Sequence, residues 1–254
     1  VDQLFVEILI GLSIGFLSGF FGLGGSSIAT PLLKLFANVK PVYALATPLL
    51  VALPSAISGA VVYYRNNHVD FKLAKLTVIS GFPFVIVGAV LTRFVSGKFL
   101  MISTGLFIFL ISLSFVFRRK LFNEQTTVVS WHYKNLRNFV LGASVGLVSG
   151  FLANGGGVIL VPVYVKIFKL DIKDAFGTSL FVVPFFAVPG AITHFILGHI
   201  DLKLFLILAL SAIPLANLSA KVAVRLKSEN LEIAYGVFIL LFSIFFMFRE
   251  ILHA

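Results

Sequence analysis

Two glycine-rich blocks hold the residues best suited to chemistry in this chain. The first reads Ser18-Gly19-Phe20-Phe21-Gly22-Leu23-Gly24-Gly25-Ser26-Ser27, and the second reads Ser149-Gly150-Phe151-Leu152-Ala153-Asn154-Gly155-Gly156-Gly157. Glycines in series let a backbone turn without a Cβ penalty and approach a ligand closely. A helix that starts after such a turn aims unpaired N–H groups and the positive end of its dipole at whatever occupies the break. Gly24, Gly25, Ser26 and Ser27, with Asn154, Gly155, Gly156 and Gly157, are therefore candidate anion ligands that need no fixed cationic side chain. Small residues at these positions would also serve tight helix packing in a membrane, and the residues alone leave both uses open.

Thr47, Thr178 and Ser179 can add hydroxyl donors for an oxyanion, and Pro48 should perturb its helix locally. The competing use for such hydroxyls is a bond back to the preceding helical turn. His194 and Glu7 are the candidates for proton coupling: a histidine titrates near neutral pH, and Glu7 lies one turn into an apolar segment. A packed, hydrogen-bonded histidine is the alternative for His194. In the matched loops that end His68-Val69-Asp70-Phe71-Lys72 and His199-Ile200-Asp201-Leu202-Lys203, Asp70 and Asp201 fall where helix N-caps belong. Lys72 and Lys203 can extend toward headgroups. No Walker loop, clustered carboxylate pair or His-Glu-x-x-His spacing appears, so no enzyme, metal site or cofactor is expected.

The elements that must position these residues come in two copies. Sliding Gly11–Arg118 onto Gly142–Arg249, an offset of 131, makes roughly 30% of positions identical. Composition then gives the setting. The chain is 59% hydrophobic and 12% charged, and apolar stretches follow one another with short polar breaks. An all-α, polytopic membrane protein follows. Five apolar segments are expected in each half: 4–21, 25–36, 43–62, 72–92 and 99–117, then 138–153, 156–168, 174–196, 202–224 and 231–248. This divides the chain into a first repeat (1–118), a linker (119–137) and a second repeat (138–254). Trp131 and Tyr133 in the linker suit a lipid interface. The second segment of each half is too short to cross about 30 Å and reads as a half-helix or re-entrant arm.

Cysteine is absent, which removes disulfides and thiol chemistry. The net charge of +10 is better read as basic cytoplasmic loops than as nucleic-acid binding. The start of the chain passes straight into a span, so no cleavable leader is expected. If segments one and two return the chain to its starting side, twelve loop cations fall on one side and six on the other. Arg65, Lys72, Lys173 and Arg225 belong to the larger set, and Lys34, Lys40 and Lys203 to the smaller. If those segments make a single crossing, the division is nine against nine. Only the first arrangement obeys the positive-inside rule. It predicts inverted repeats in a cell membrane, with the linker cytoplasmic and both termini outside. The count of full spans stays open.

The doubled Gly-x-x-x-Gly…Gly-Gly…Pro block, the loop ending His-Val-Asp-Phe-Lys, and the helix with Gly81-Phe82-Pro83 and Gly88-Ala89 together resemble the TauE/SafE family of sulfite-exporter-like permeases. The resemblance covers nearly the whole chain outside the linker. It implies a secondary transporter of a small sulfur-containing anion such as sulfite, thiosulfate, sulfoacetate or another sulfonate, with proton coupling by analogy. A distant related group of thiosulfate carriers relies on cysteines, which this chain lacks. The expected partners are the anion and the lipid bilayer, and assembly as a homo-oligomer is compatible with the sequence. A passive anion channel and a non-transporting scaffold are the rival readings.

Overall fold

A computed structural model describes residues 3–37, 39–91, 94–95, 106, 109–110, 112, 134–151, 155–196 and 198–252. Nine helices run through them: α1 (Gln3–Phe21), α2 (Ser26–Phe36), α3 (Pro41–Arg65), α4 (Phe71–Leu91), α5 (Lys134–Phe151), α6 (Gly157–Lys166), α7 (Ile172–Ile196), α8 (Leu202–Arg225) and α9 (Ser228–Leu252). Each matches an expected segment to within a few residues. All but four residues of the expected segment 99–117 and most of the linker, with Trp131 and Tyr133, lie outside the described residues. At its far end α5 begins at Lys134, inside the stretch expected to be linker. Six of the described helices are long and apolar enough to cross a membrane. At 11 and 10 residues, α2 and α6 reach only about 16 Å, half a hydrocarbon core. α3 continues as a helix through Pro48.

Glycine spacing explains the tightest packing. Gly11, Gly15 and Gly19 recur every fourth residue on α1 and face Leu208, Ala212 and Ala216 of α8, whose carbonyls fill the space a Cβ would need. Gly142, Gly146 and Gly150 of α5 do the same against α4, meeting Ser80, the Gly81 carbonyl and the Val85 carbonyl. Without a hydrophobic drive between helices in lipid, close backbone approach and dispersion hold such pairs. Ser80, Gly81 and Val85 precede Ser211, Ala212 and Ala216 by the repeat offset. The two halves therefore exchange equivalent contacts, as a two-fold arrangement requires. Ser112 and Ser243, which are counterparts of each other, meet at 3.4 Å between hydroxyl oxygens.

Hydrogen bonds at the helix ends also sort the loops into two ends. At one, the Asp70 N–H donates to Thr178 Oγ1 (3.0 Å), Lys173 Nζ to the Val224 carbonyl (3.1 Å) and Ser228 Oγ to Asp171 Oδ1 (3.0 Å). This basic end gathers the loops that carry Arg65, Lys72, Lys166, Lys169, Lys173, Arg225 and Lys227. At the other, the Asp201 N–H donates to Thr47 Oγ1 (3.2 Å). There Ile10 and Ile14 of α1 share a buried cluster with Ala29, Leu33 and Ala37, so α2 folds back along α1 toward its start.

Candidate functional site

Each short helix begins at a left-handed glycine. Gly25 has φ 80° and ψ −21°, Gly156 has φ 84° and ψ −15°, and as N-cap residues they bring no side-chain cap of their own. An L-residue with a side chain pays for that conformation, which is why glycine stands at both breaks. The first intrahelical bonds run from Ala29 to the Gly25 carbonyl (3.1 Å) and from Ile159 (3.0 Å) and Leu160 (2.8 Å) to the Gly156 carbonyl. The amides before them belong to the helix-start donors that an α-helix leaves outside its i→i−4 ladder.

The two breaks meet. A methyl placed on Gly155 would lie 3.4 Å from Ser26 Oγ and 3.7 Å from Val183 Cγ1, and one on Gly24 would lie 2.7 Å from the same Val183 atom. At Gly157 there is no room for a methyl, because the Leu23 carbonyl fills the position. Gly24, Gly25 and Ser26, with Gly155, Gly156 and Gly157, are all buried. The structure thus brings six of the eight predicted block residues together. The side chain of Ser27 and all of Asn154 lie outside the described residues.

Two hydroxyls at the breaks were not among the residues the sequence nominated. Ser18 and Ser149 are 0% and 2% exposed, and neither Oγ has a hydrogen-bond partner among the described residues. Ser149 Oγ stands 2.8 Å from where a Gly156 methyl would be. A buried hydroxyl without a partner costs about 1–3 kcal/mol, and here it occurs at both members of a matched pair. The available signal was the identity of Ser18 and Ser149 across the repeat, next to the glycines that did draw notice.

The other nominated hydroxyls are already engaged. Thr47 and Thr178, both fully buried, accept the backbone N–H of Asp201 and Asp70 across the halves. Ser179 Oγ donates to the Gly22 carbonyl at 2.9 Å and so holds the first glycine turn in place. The sequence alternative, a bond to the preceding turn, is not what these three make. Asp70 and Asp201 do cap helices, accepting from Leu73 (2.9 Å) and Leu204 (3.0 Å).

His194 and Glu7 stand elsewhere. His194 lies near the end of α7, its Nδ1 3.4 Å from Nδ1 of His199, and Glu7 is buried on α1 with Gln3 Nε2 at 3.0 Å. On the basic side of the breaks, Phe21 packs edge-on to Phe176 (6.3 Å) and Tyr235 (5.8 Å), forming a buried aromatic layer. Along α7 the order from the basic end is Asp174, Phe176, then Val183 at the breaks.

Comparison with known proteins agrees with this architecture. Residues 7–246 match the family model described as sulfite exporter TauE/SafE. The chain belongs to the TauE/SafE family. Among relatives, the probable membrane transporter protein YunE of Bacillus subtilis (strain 168) is 25% identical over 217 residues, covering 77% of this chain and 80% of its own. YdhB of the same organism, also named a probable membrane transporter protein, is 28% identical over 197 residues, covering 76% and 80%. A probable membrane transporter protein of Xylella fastidiosa (strain Temecula1) is 23% identical over 258 residues, covering 98% and 97%. No solved structure matches the chain.

Proposed function

We propose that this chain is a secondary transporter that carries a small sulfur-containing anion, of the sulfite or sulfonate class, by alternating access. The anion sits between the starts of α2 and α6. The observation that carries this reading is the meeting of two helix starts with glycine N-caps inside the protein, flanked by the hydroxyls of Ser18 and Ser149, which have no partner among the described residues. Each helix start contributes about 0.3–1 kcal/mol when exposed and up to about 2 kcal/mol when partly buried. Two such ends and two hydroxyl donors hold an oxyanion without a fixed cation, and the modest affinity lets the cargo leave.

The burial of all six glycine-block residues fits an occluded state, closed on the basic side by Phe21, Phe176 and Tyr235. Opening toward that side requires those rings to part. In this reading the repeats are inverted across a cell membrane. The basic end is cytoplasmic, both termini lie outside, and α1–α2 and α5–α6 are the re-entrant pairs. The printed family description, sulfite exporter, makes sulfite the first substrate to test.

The test is uptake of radiolabelled sulfite, thiosulfate and a simple sulfonate into proteoliposomes, with and without an imposed pH gradient. Saturable uptake of one anion, competed by the others, is expected. Stimulation by the gradient would make His194 and Glu7 the residues to vary next. Folded protein that moves none of the three overturns the proposal, and single-channel currents without saturation would replace the carrier with a channel.

A further inference from the structure

At the basic end, α4, α5 and the connection from α6 to α7 enclose a cavity of about 460 Å³. Its α4 wall carries Lys72, Lys75, Leu76 and Ile79, spaced as one helical face. Phe168 and Asn138 stand opposite. Polarity along the groove changes with depth. Lys72 and Lys75 lie in the first two turns of α4, both exposed, and neither makes an ion pair or hydrogen bond among the described residues. Deeper along the same face, Ile79 is 61% exposed. Asp70, the one acidic lining residue, has an oxygen committed to capping α4.

The matching positions of the other half invert this charge. By the repeat offset, Leu206 stands for Lys75, Glu7 for Asn138 and Ala37 for Phe168. Two lysines line the first groove with one aspartate, whereas the matching positions of the other half hold one lysine, Lys203, with Asp201 and Glu7. A fold requirement would be met in both halves alike. The additional lysine and the aromatic wall occur only at the end rich in basic loops.

We propose that this groove is a binding site for one anionic phospholipid. Lys72 and Lys75 hold the headgroup phosphate, and an acyl chain lies along Leu76 and Ile79 against Phe168. Lysines at a helix end keep their ammonium groups at headgroup depth while their stems cover apolar surface. Each basic residue near an anionic surface adds about fivefold to affinity. The site stands whether or not the chain moves sulfur anions.

The experiment is native mass spectrometry of the full chain titrated with phosphatidylglycerol or phosphatidylcholine, for the wild type, Lys72→Gln/Lys75→Gln and Lys203→Gln. The wild type should retain phosphatidylglycerol in preference. The double variant should lose at least about tenfold of that preference at unchanged melting temperature, and Lys203→Gln should lose none. Equal retention of the two lipids by the wild type, or an unchanged preference in the double variant, overturns the site. Displacement of phosphatidylglycerol by millimolar inorganic phosphate overturns it too, because the groove would then select a soluble anion. Wild-type protein that takes up sulfite yet retains the two lipids equally would separate failure of this site from failure of the transport reading.

Discussion

The loop joining α3 to α4 and the loop joining α7 to α8 hold equivalent places in the two halves, yet they are fastened differently. Both cross to the other half through a backbone N–H and a buried threonine: Asp70 to Thr178 and Asp201 to Thr47. Both then cap the next helix with the same aspartate. Beyond that they diverge. His68 Nδ1 lies 2.7 Å from Asp174 Oδ1, an ion pair when the ring is protonated. Tyr43 occupies the counterpart of Asp174, so His199 finds no carboxylate there and faces His194 instead. The shared part is local hydrogen bonding that the fold needs twice. The unshared part is a difference in partner: a carboxylate faces the histidine in one loop and a second histidine faces it in the other.

Breaking the comparison most severely means striking a position where the halves differ in the space they leave. Gly157 corresponds to Ser26, but a side chain at 157 runs into the Leu23 carbonyl. Gly157→Ala should cost about 1–3 kcal/mol through overpacking, while Ser26→Gly should cost less, both read as melting temperatures in detergent. A smaller cost for Gly157→Ala than for Ser26→Gly would refute the close approach of the two breaks.

The shared fastening comes next. Thr47→Val and Thr178→Val each leave a backbone N–H without its acceptor, an expected loss of about 1–3 kcal/mol. Similar losses in the two variants support equivalent roles, and a loss in only one would show that the halves do not depend equally on the crossing. The smallest effect belongs to the unshared pair. His68 and Asp174 are 27% and 37% exposed, so solvent weakens their attraction and Asp174→Asn should cost about 0.2–1 kcal/mol. No loss in Asp174→Asn would mean that the threonine crossing alone fastens this loop.

Much of this fold was legible in the chain because lipid imposes lengths. Segment 202–224 became Leu202–Arg225 and segment 25–36 became Ser26–Phe36, since apolar runs and glycine breaks leave little freedom over where a helix ends. The Asp70 and Asp201 caps were legible for a related reason, as an N-cap acts within three residues. Glycine serves different structural purposes at different positions: Gly11, Gly15 and Gly19 pack helices, whereas Gly25 and Gly156 turn the chain at the breaks. The partners of Thr47, Thr178 and Ser179 could not be read in advance, because each lies more than a hundred residues away in the other half. Ser18 and Ser149 escaped for the converse reason. A serine in an apolar helix ordinarily bonds to its own preceding turn, and only the packed structure shows these two without such a bond.

The claim that an anion rides between the two helix starts rests most directly on those two serines. Ser18→Ala/Ser149→Ala removes hydroxyls that have no partner among the described residues, so melting temperature should hold steady or rise. Sulfite uptake into proteoliposomes, measured in the same preparation, should fall at least about tenfold, since hydrogen bonds to a charged ligand contribute about 1.5–3 kcal/mol each. Stable protein with undiminished uptake would contradict the site.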